Sequence, residues 1–451
     1  MEQNVRVLRE IFLIFVSDLI LPMRRTLFSI ALILAAATGL QAQNNTFAID
    51  LDLLTRGEIR AGGLTRLDDE KPDFAAFVLD RTLLGIGYER PYFSARITAQ
   101  HSGTWGNNEE SFFGLYEAWA HVCSPKGFFA KVGRQNLSYD DQRIFGADDW
   151  AMTARSHDAL KIGYEGYGHK VHLIGAYNQN LANISGGTFF KGGIQPYKSM
   201  AALWYHYDVP KAPFGFSLLF LDAGMQDGEP DEDEKVWHQQ MAGAYLSYKP
   251  EKWSAEAAYY HQFGKEEHGL PVNAFMASSK FTYTPEKHWT LTAGYDYLSG
   301  DKDFATPTGG TIGLTRHEVI RGFSSLYGSH HKFYGAMDFF YMTTYVGGFT
   351  PGLQNAYAGL QWTFKEKHSV SASYHFLATG TKLRNAEMPL GHELEIAAFF
   401  QIFKDGKLGF GYSFMKGTDT MTVHKKTADR RELHWGWLML TISPRIFTAK
   451  W

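Results

Sequence analysis

A single cysteine, Cys123, in 451 residues rules out an intramolecular disulfide framework. Read alone, it is a small apolar residue near a strand end. Proline is scarce at 15 residues, and no linker or low-complexity tract divides the chain, so one domain is expected. Beyond the first 42 residues no apolar stretch is long enough to cross a bilayer as a helix. The formal charge of −3 leaves no electrostatic footprint for nucleic acid. Two classes survive these absences: a secreted soluble β protein, or a barrel that crosses a membrane with strands.

The N-terminus reads as an address. Met23-Arg24-Arg25 begins a charged region, Leu27 to Leu34 is an apolar core, and Leu40-Gln41-Ala42 is a cleavage site before Gln43. Residues before Met23 read as a mis-assigned start. Residues 1–42 are then a signal peptide, and 43–451 form the single mature domain, one charge unit more acidic than the whole chain.

What the chain has in plenty is aromatic residues, 15% of the total, and 45 glycines. Both serve a barrel, as interfacial girdles and as close strand packing. Three charged turns repeat one pattern: Tyr248-Lys249-Pro250-Glu251-Lys252-Trp253, Tyr283-Thr284-Pro285-Glu286-Lys287-His288 and Thr363-Phe364-Lys365-Glu366-Lys367-His368. A segment of period two follows each. After the first, Trp253, Ala255, Ala257 and Tyr259 share one face, and Ser254, Glu256, Tyr260 and Gln262 the other. Period two means strands, and such short turns mean antiparallel neighbours.

The first strand, about Phe47 to Arg60, sets Phe47, Ile49, Leu51 and Leu53 outward and Asp50, Asp52, Arg56, Glu58 and Arg60 inward. A charge on the lipid face costs roughly 2–4 kcal/mol at mid-membrane, so that charged row implies a wet interior. Arg96 and Lys161 take the inward phase by the same alternation. Further short connections at Glu89–Pro91, Ser124–Gly127, Gly166–Gly168, Val209–Lys211 and Lys404–Lys407 complete an expected periplasmic rim. Longer loops at Leu64–Asp73, Gly103–Glu110, Ser138–Asp158, Asn180–Ser199, Gln226–Glu234 and Lys416–Arg431 form the external one. To keep the parity, Thr315 to Tyr327 should descend and Tyr334 to Tyr345 ascend around Gly328-Ser329-His330-His331. About twenty strands result, or eighteen if two weak ones are loops. The fold class expected is all-β: a transmembrane, antiparallel, up-and-down β-barrel. Its terminal Phe447 to Trp451 resembles the signal that barrel-assembly machinery reads, while Pro444 marks a bulge or strand end.

Catalytic and metal motifs fail on spacing. His317-Glu318 and His392-Glu393 begin like HExxH, but Arg321 and Ile396 stand where the second histidine is needed. His330-His331 reads as a solvated turn. The acidic loop Asp227 to Glu234 lacks EF-hand spacing and reads as solvated, with loose calcium binding or bridging to lipopolysaccharide as the other reading. No GxSxG elbow is present. No cofactor is expected.

The segment Gly133 to Arg155 differs. Arg134, Arg143 and Arg155 cluster with Tyr139, Asp140, Asp141, Asp148 and Asp149 in and beside one loop. It reads either as a surface loop held by ion pairs or as a loop folded into the lumen as a charged constriction. Arg134 shares parity with outward Phe128, Ala130 and Val132, so it lies past the lipid zone or after a bulge.

At Gly133-Arg134-Gln135, Tyr139-Asp140-Asp141-Gln142-Arg143, Gly146, Trp150 and Arg155, and again at His331 to Asp338, the chain resembles the alginate-export family of outer-membrane barrels in its Bacteroidota form. The resemblance runs from about Asn45 to Trp451. It implies an eighteen-stranded barrel whose arginine-lined pore passes an anionic uronate polysaccharide. By position, Arg134, Tyr139, Arg143 and Arg155 with Asp140 and Asp141 carry over to the constriction. Inward carboxylates such as Asp52, Glu256, Asp296 and Glu395 depart from an exclusively anion-selective lumen. The expectation is a passive channel for anionic polysaccharide or other carboxylated solutes in the outer membrane of a Gram-negative bacterium. It would be a monomer in contact with outer-membrane lipids and lipopolysaccharide, with no nucleic-acid partner. A barrel enzyme acting on lipid or glycan, and a non-conducting structural or adhesion barrel, are the alternatives.

Overall fold

The computed structural model describes residues 44–62, 74–180, 187–190, 192, 195–229, 235–302, 319–342, 350–383, 386–425 and 431–451. The leader, the Leu64–Asp73 loop, Asp231 to Glu234, His317-Glu318 and the outer ends of the two strands expected around Gly328 lie outside them.

Strands run in chain order as β1 (Thr46–Ala61), β2 (Ala75–Arg90), β3 (Phe93–Thr104), β4 (Asn107–Cys123), β5 (Phe128–Gln135), β6 (His157–Gly166), β7 (His169–Tyr177), β8 (Ser199–Asp208) and β9 (Phe214–Asp227). They continue as β10 (Lys235–Tyr248), β11 (Trp253–Gly264), β12 (Ala274–Tyr283), β13 (Trp289–Leu298), β14 (Leu353–Phe364), β15 (His368–Ala378), β16 (Pro389–Phe403), β17 (Gly406–Gly417), β18 (Glu432–Ile442) and β19 (Arg445–Lys450). Each pairs antiparallel with its chain neighbour, and β1 closes the ring against β18 and β19. Those last two are one crossing. Pro444 cannot donate to the ladder, yet its carbonyl accepts from Leu51 N–H at 3.0 Å, so β1 stays continuous past the break. The barrel therefore has eighteen crossings. No helix among the described residues is long and apolar enough to cross a membrane.

All eight short connections predicted for one rim are short turns. Both ends of the domain lie at that rim, where Asn45 and Trp451 exchange backbone hydrogen bonds of 2.9 and 3.2 Å. One long loop is corrected: between β3 and β4 there is only Trp105-Gly106, because both strands extend beyond the predicted ends. The parity argument around Gly328 is corrected as well. β13 pairs directly with β14, from Trp289↔Trp362 to Leu298↔Leu353, with no strand among the described residues between them. Residues 319–342 instead form a loop with a 3-10 turn at His330–Lys332 and one helical turn, α1 (Phe339–Met342). Positive φ at Leu326 (46°), Tyr334 (69°), Gly335 (92°) and Asp338 (57°) breaks any extended run there.

Lipid-facing residues follow the predicted alternation: Leu84, Ile86, Ile97, Leu160, Ile162, Leu218, Leu291, Ile396 and Leu438 are all exposed. Around the short-turn rim the outward aromatics touch in series, including Trp253–Phe281 (5.7 Å), Trp289–Trp362 (6.0 Å), Trp362–Phe364 (4.6 Å) and Phe400–Phe410 (5.9 Å). Such a belt suits the headgroup layer.

The interior divides by height. Towards the long loops, inward Leu221, Met241, Tyr260, Met276, Leu377, Met415, Leu433 and Trp435 form one buried apolar cluster with loop residues Leu137, Ile144, Phe145, Tyr327, Tyr334, Met337 and Phe339. Towards the short turns, the inner wall carries Asp50, Asp52, Arg96, Glu117, Lys131, Lys161, Lys249, Glu256 and Lys280.

An outward Ile396→Lys substitution is expected to lower unfolding free energy by roughly 2–4 kcal/mol, whereas inward Ser371→Lys on β15 should change it by less than about 1 kcal/mol. Urea titration of the barrel in bilayers measures both.

Candidate functional site

Two loops of the long-loop rim enter the barrel and meet in it. The first, residues 136–156, joins β5 to β6. The second, residues 319–342, belongs to the connection between β13 and β14. A single parallel bridge between Phe145 and Tyr327 joins them: Tyr327 N–H donates to the Ile144 carbonyl (3.1 Å) and Gly146 N–H to the Tyr327 carbonyl (2.9 Å). Beside it, Ser329 N–H donates to the Gln142 carbonyl (2.9 Å). Gly328 lies so close to the Arg143 carbonyl that a Cβ there would overlap it. The two backbones thus approach as near as glycine permits.

Side chains of the inner wall pin the first loop from several sides. Tyr139 bonds His172 on β7 through its hydroxyl (3.0 Å) and packs on Trp204 at 4.7 Å. Asp140, at φ 52°, accepts from the Trp204 indole (3.1 Å) and the Ser217 hydroxyl. Burial raises its carboxyl above the usual range even with those donors in place. Opposite, Arg56 donates to the Trp150 carbonyl (3.0 Å), Arg81 to those of Asp149 (2.9 Å) and Ala151 (3.2 Å), and Gln100 to that of Met152 (3.3 Å).

Arg143 is the central anchor. Its guanidinium donates to Asp141 (2.8 Å), Asp296 of β13 (2.7 Å) and the Tyr334 hydroxyl of the second loop (3.1 Å), and lies 4.0 Å over the Phe333 ring. Its side chain is 2% exposed and that of Asp296 1%. Burial alone would lower the Arg143 pKa, but Tyr334, Asp296 and Asp141 hold it well above its ordinary value. Asn355 donates to the second Asp296 oxygen (2.9 Å), completing the carboxylate's shell.

The second loop is held in the same way. Gln262 donates to the Ser324 carbonyl (2.8 Å), and Glu393 of β16 accepts from Met337 N–H (2.9 Å) beneath Gly335. His330-His331 is not a solvated turn but sits inside the barrel. His331 stacks on Trp150 at 4.3 Å and bonds Asp338 (2.7 Å). Burial, and then Arg155, push the His330 imidazole down to about 4.

The predicted site residues therefore separate. Tyr139, Asp140 and Arg143 are buried anchors. Arg155 joins the loops, donating to the Leu326 carbonyl (3.1 Å) and pairing with Asp148 (3.4 Å). Arg60 lies over Trp435 and pairs with Glu58 (2.7 Å) on the wall. Arg134 stands apart: it pairs with Asp158 (2.8 Å) on the outward phase of β5 and β6, near their long-loop ends, and not in the lumen. Asp141, Arg96 and Lys161 remain in the lower lumen. Asp141 and Arg143 border a cavity of about 150 Å³ with Lys249, Glu256, Lys280 and Lys332. Glu256 pairs with Lys249 and Lys280, each at 3.1 Å, and Lys332 donates to the Asp141 carbonyl (3.2 Å).

Sequence reasoning missed Lys131, Lys249, Lys280 and Lys332. The period-two phase could have found Lys131 and Lys280, while Lys332 lay between the expected turn at Gly328 to His331 and the strand expected from Tyr334. His392 and Glu393 point to opposite faces of β16, so they cannot share a metal. Among the described residues, only Glu266, Glu267 and His268 bring three ligand atoms close enough for one, on an exposed external hairpin.

A closed eighteen-crossing barrel with an apolar outer band, an aromatic belt and two loops folded into a charged lumen defines an outer-membrane channel of the porin class. The chain belongs to the alginate-export family, whose family model matches residues 95–378. No curated protein matches it by sequence. Solved channels from Pseudomonas aeruginosa share the fold at low identity. OccK2 (OpdF) superimposes with a TM-score of 0.58 at 11% identity, covering 89% of this chain and 98% of that one. For OccK9 (OpdG) the values are 0.57, 11%, 88% and 98%, and for the outer membrane protein opdK they are 0.57, 9%, 90% and 99%.

Arg143→Ala leaves Asp296 buried without its cation, which should cost roughly 3–5 kcal/mol of loop docking. Single-channel recording should show larger, fluctuating currents, and an unchanged, quiet trace would contradict the anchoring role. His330 gives a pH dependence of definite sign. Its folded pKa lies below the ordinary 6.5, so its contribution to docking is present above pH 6.5 and is lost as pH falls towards 4. Acidification from pH 7 to 5 should loosen the second loop by on the order of 1–2 kcal/mol. Limited proteolysis across that range should lose this dependence in His330→Gln.

Proposed function

We propose that the barrel is a passive channel for carboxylated solutes, from small organic acids to anionic polysaccharide, in the outer membrane of a Gram-negative bacterium. One observation carries this reading: the buried arginines hold the loops, while the basic groups left facing the lower lumen (Arg96, Lys131, Lys161, Lys249, Lys280 and Lys332) line its wall and the cavity beside Asp141. Cations in a narrow lumen replace part of the hydration of an anion, and neighbouring carboxylates keep the binding weak enough for release. Arg96 shows this balance, pairing with Asp50 at 2.9 Å and approaching Glu117 at 3.5 Å. Lipids and lipopolysaccharide would cover the outward apolar band of a single barrel, which barrel-assembly machinery would insert.

The apolar packing of both loops against the upper wall favours a second reading, a barrel closed at rest that conducts only when the loops shift. Planar-bilayer recording of the purified protein separates the two. The channel reading predicts steady current, partial block by oligouronates, and a reversal potential in a salt gradient that moves towards cation preference in Lys280→Glu/Lys332→Glu. Steady current indifferent to oligouronates and to that double substitution contradicts the carboxylate preference. Current only in rare bursts supports the resting-closed barrel.

A further inference from the structure

We infer that Lys131 and Lys161 form a carboxylate-binding station on the lumen wall beside the first inner loop, built for an organic acid whose carboxylate is carried on a ring. The inference rests on the channel reading and names a place within that lumen where a solute pauses.

Register is the first argument. Lys131 on β5 and Lys161 on β6 are direct cross-strand partners on the inward face. Their Cβ atoms are then about 4.5–5.5 Å apart, and like charges so placed are destabilising. Such a pair persists against its own repulsion, and no neighbouring acid neutralises it by contact. Neither ammonium has an ion pair or hydrogen bond among the described residues, and both lie against aromatic rings.

The nearest carboxylates are occupied elsewhere. Glu165 bonds His172 at 2.9 Å. Glu117 accepts from the Trp119 indole at 3.2 Å and lies 3.5 Å from Arg96. Two cations therefore share one side of the lumen with Glu117 and Glu165 near but not in contact with them, and an entering anion is the group that completes them.

Aromatic rings frame the two ammonium groups. The Lys131 Nζ sits 3.7 Å from the Trp119 ring centre, and the Lys161 Nζ lies 5.8 Å from that of Phe129 and 5.9 Å from that of Tyr139. His121 and His172 pack on Phe129 at 5.5 and 5.1 Å. Cation–π contact positions an ammonium without consuming its hydrogen-bond donors. The two oxygens of a carboxylate can bridge two such donors, and charge-assisted bonds of that kind are the strong ones. The ring behind the carboxylate then meets apolar ring faces, which a hydrated inorganic anion would not use. Tyr139 belongs to the first loop, so a solute held here lies beside the element that narrows the lumen.

The test is calorimetric titration of detergent-solubilised protein with glucuronate and benzoate, with glucose and inorganic sulfate alongside, for the wild type, Lys131→Met, Lys161→Met and the double substitution. Methionine keeps the stem and removes the repulsion, so the variants should fold at least as well. Glucuronate, benzoate or both should bind the wild type, and each substitution should weaken binding roughly tenfold. Loss confined to glucuronate identifies a sugar acid, and loss confined to benzoate identifies an aryl acid. Binding unchanged in the double variant, no binding of either acid to the wild type, or sulfate binding as tightly as both, overturns the station. The titration does not require current. A wild type that binds through the pair but never conducts overturns the channel and keeps the site, and one that conducts with block unaltered in the double variant does the reverse.

Discussion

Backbone hydrogen bonding without water is the constraint on which everything else in this molecule rests. A strand in hydrocarbon must pair on both edges, and the ring is closed by β1 alone, which meets β2 along one edge and both terminal segments along the other. The break at Pro444 is tolerated because it lies near the short-turn rim, where Leu51 N–H donates to the proline carbonyl and Ser443 N–H to the Asp405 carbonyl. Closure then fixes which face of each strand meets lipid, and that fixes which residues a solute can meet.

Within the closed wall, buried charge decides the shape of the lumen. Arginines are the groups a sequence reader would assign to the solute, yet Arg56, Arg81 and Arg143 spend their donors on loop carbonyls, on a carboxylate of β13 and on a tyrosine hydroxyl. Their planar forks suit such multiple, fixed contacts. Lys131, Lys161, Lys249, Lys280 and Lys332, compact cations on flexible stems, face the lower lumen together with Arg96. Structural and solute-facing work is thus divided by side-chain geometry as well as by position.

The wall was legible in the sequence because lipid enforces a strict alternation, as at Trp253 to Gln262, and because charged or proline-bearing turns such as Tyr248 to Trp253 punctuate it. The loops were not. Tyr334, Ala336, Asp338 and Phe340 alternate with other residues much as a strand does, but their burial comes with partners such as Arg143 and Glu393 that no local pattern announces. Asp296 was readable as an inward carboxylate and Arg143 as a candidate cation, while their pairing needed the fold. Arg134 carried its own warning, since its parity was outward. In β9, Leu218-Leu219-Phe220-Leu221 shows no alternation at all, which is the trace left by an inner face that is itself a core.

The contacts between the two inner loops also bear on the order of events in time. Arg143 and Asp296 are 153 residues apart in the chain, and Tyr327, which zips the second loop to Phe145, follows later still. Contacts of such long range form only after the intervening wall has brought their ends together. The inner-loop contacts therefore follow the pairing of β6 to β13, which brings Arg143 and Asp296 onto one sheet, while closure of β1 on β18 joins Leu53 to Ile442 across a still longer stretch of chain.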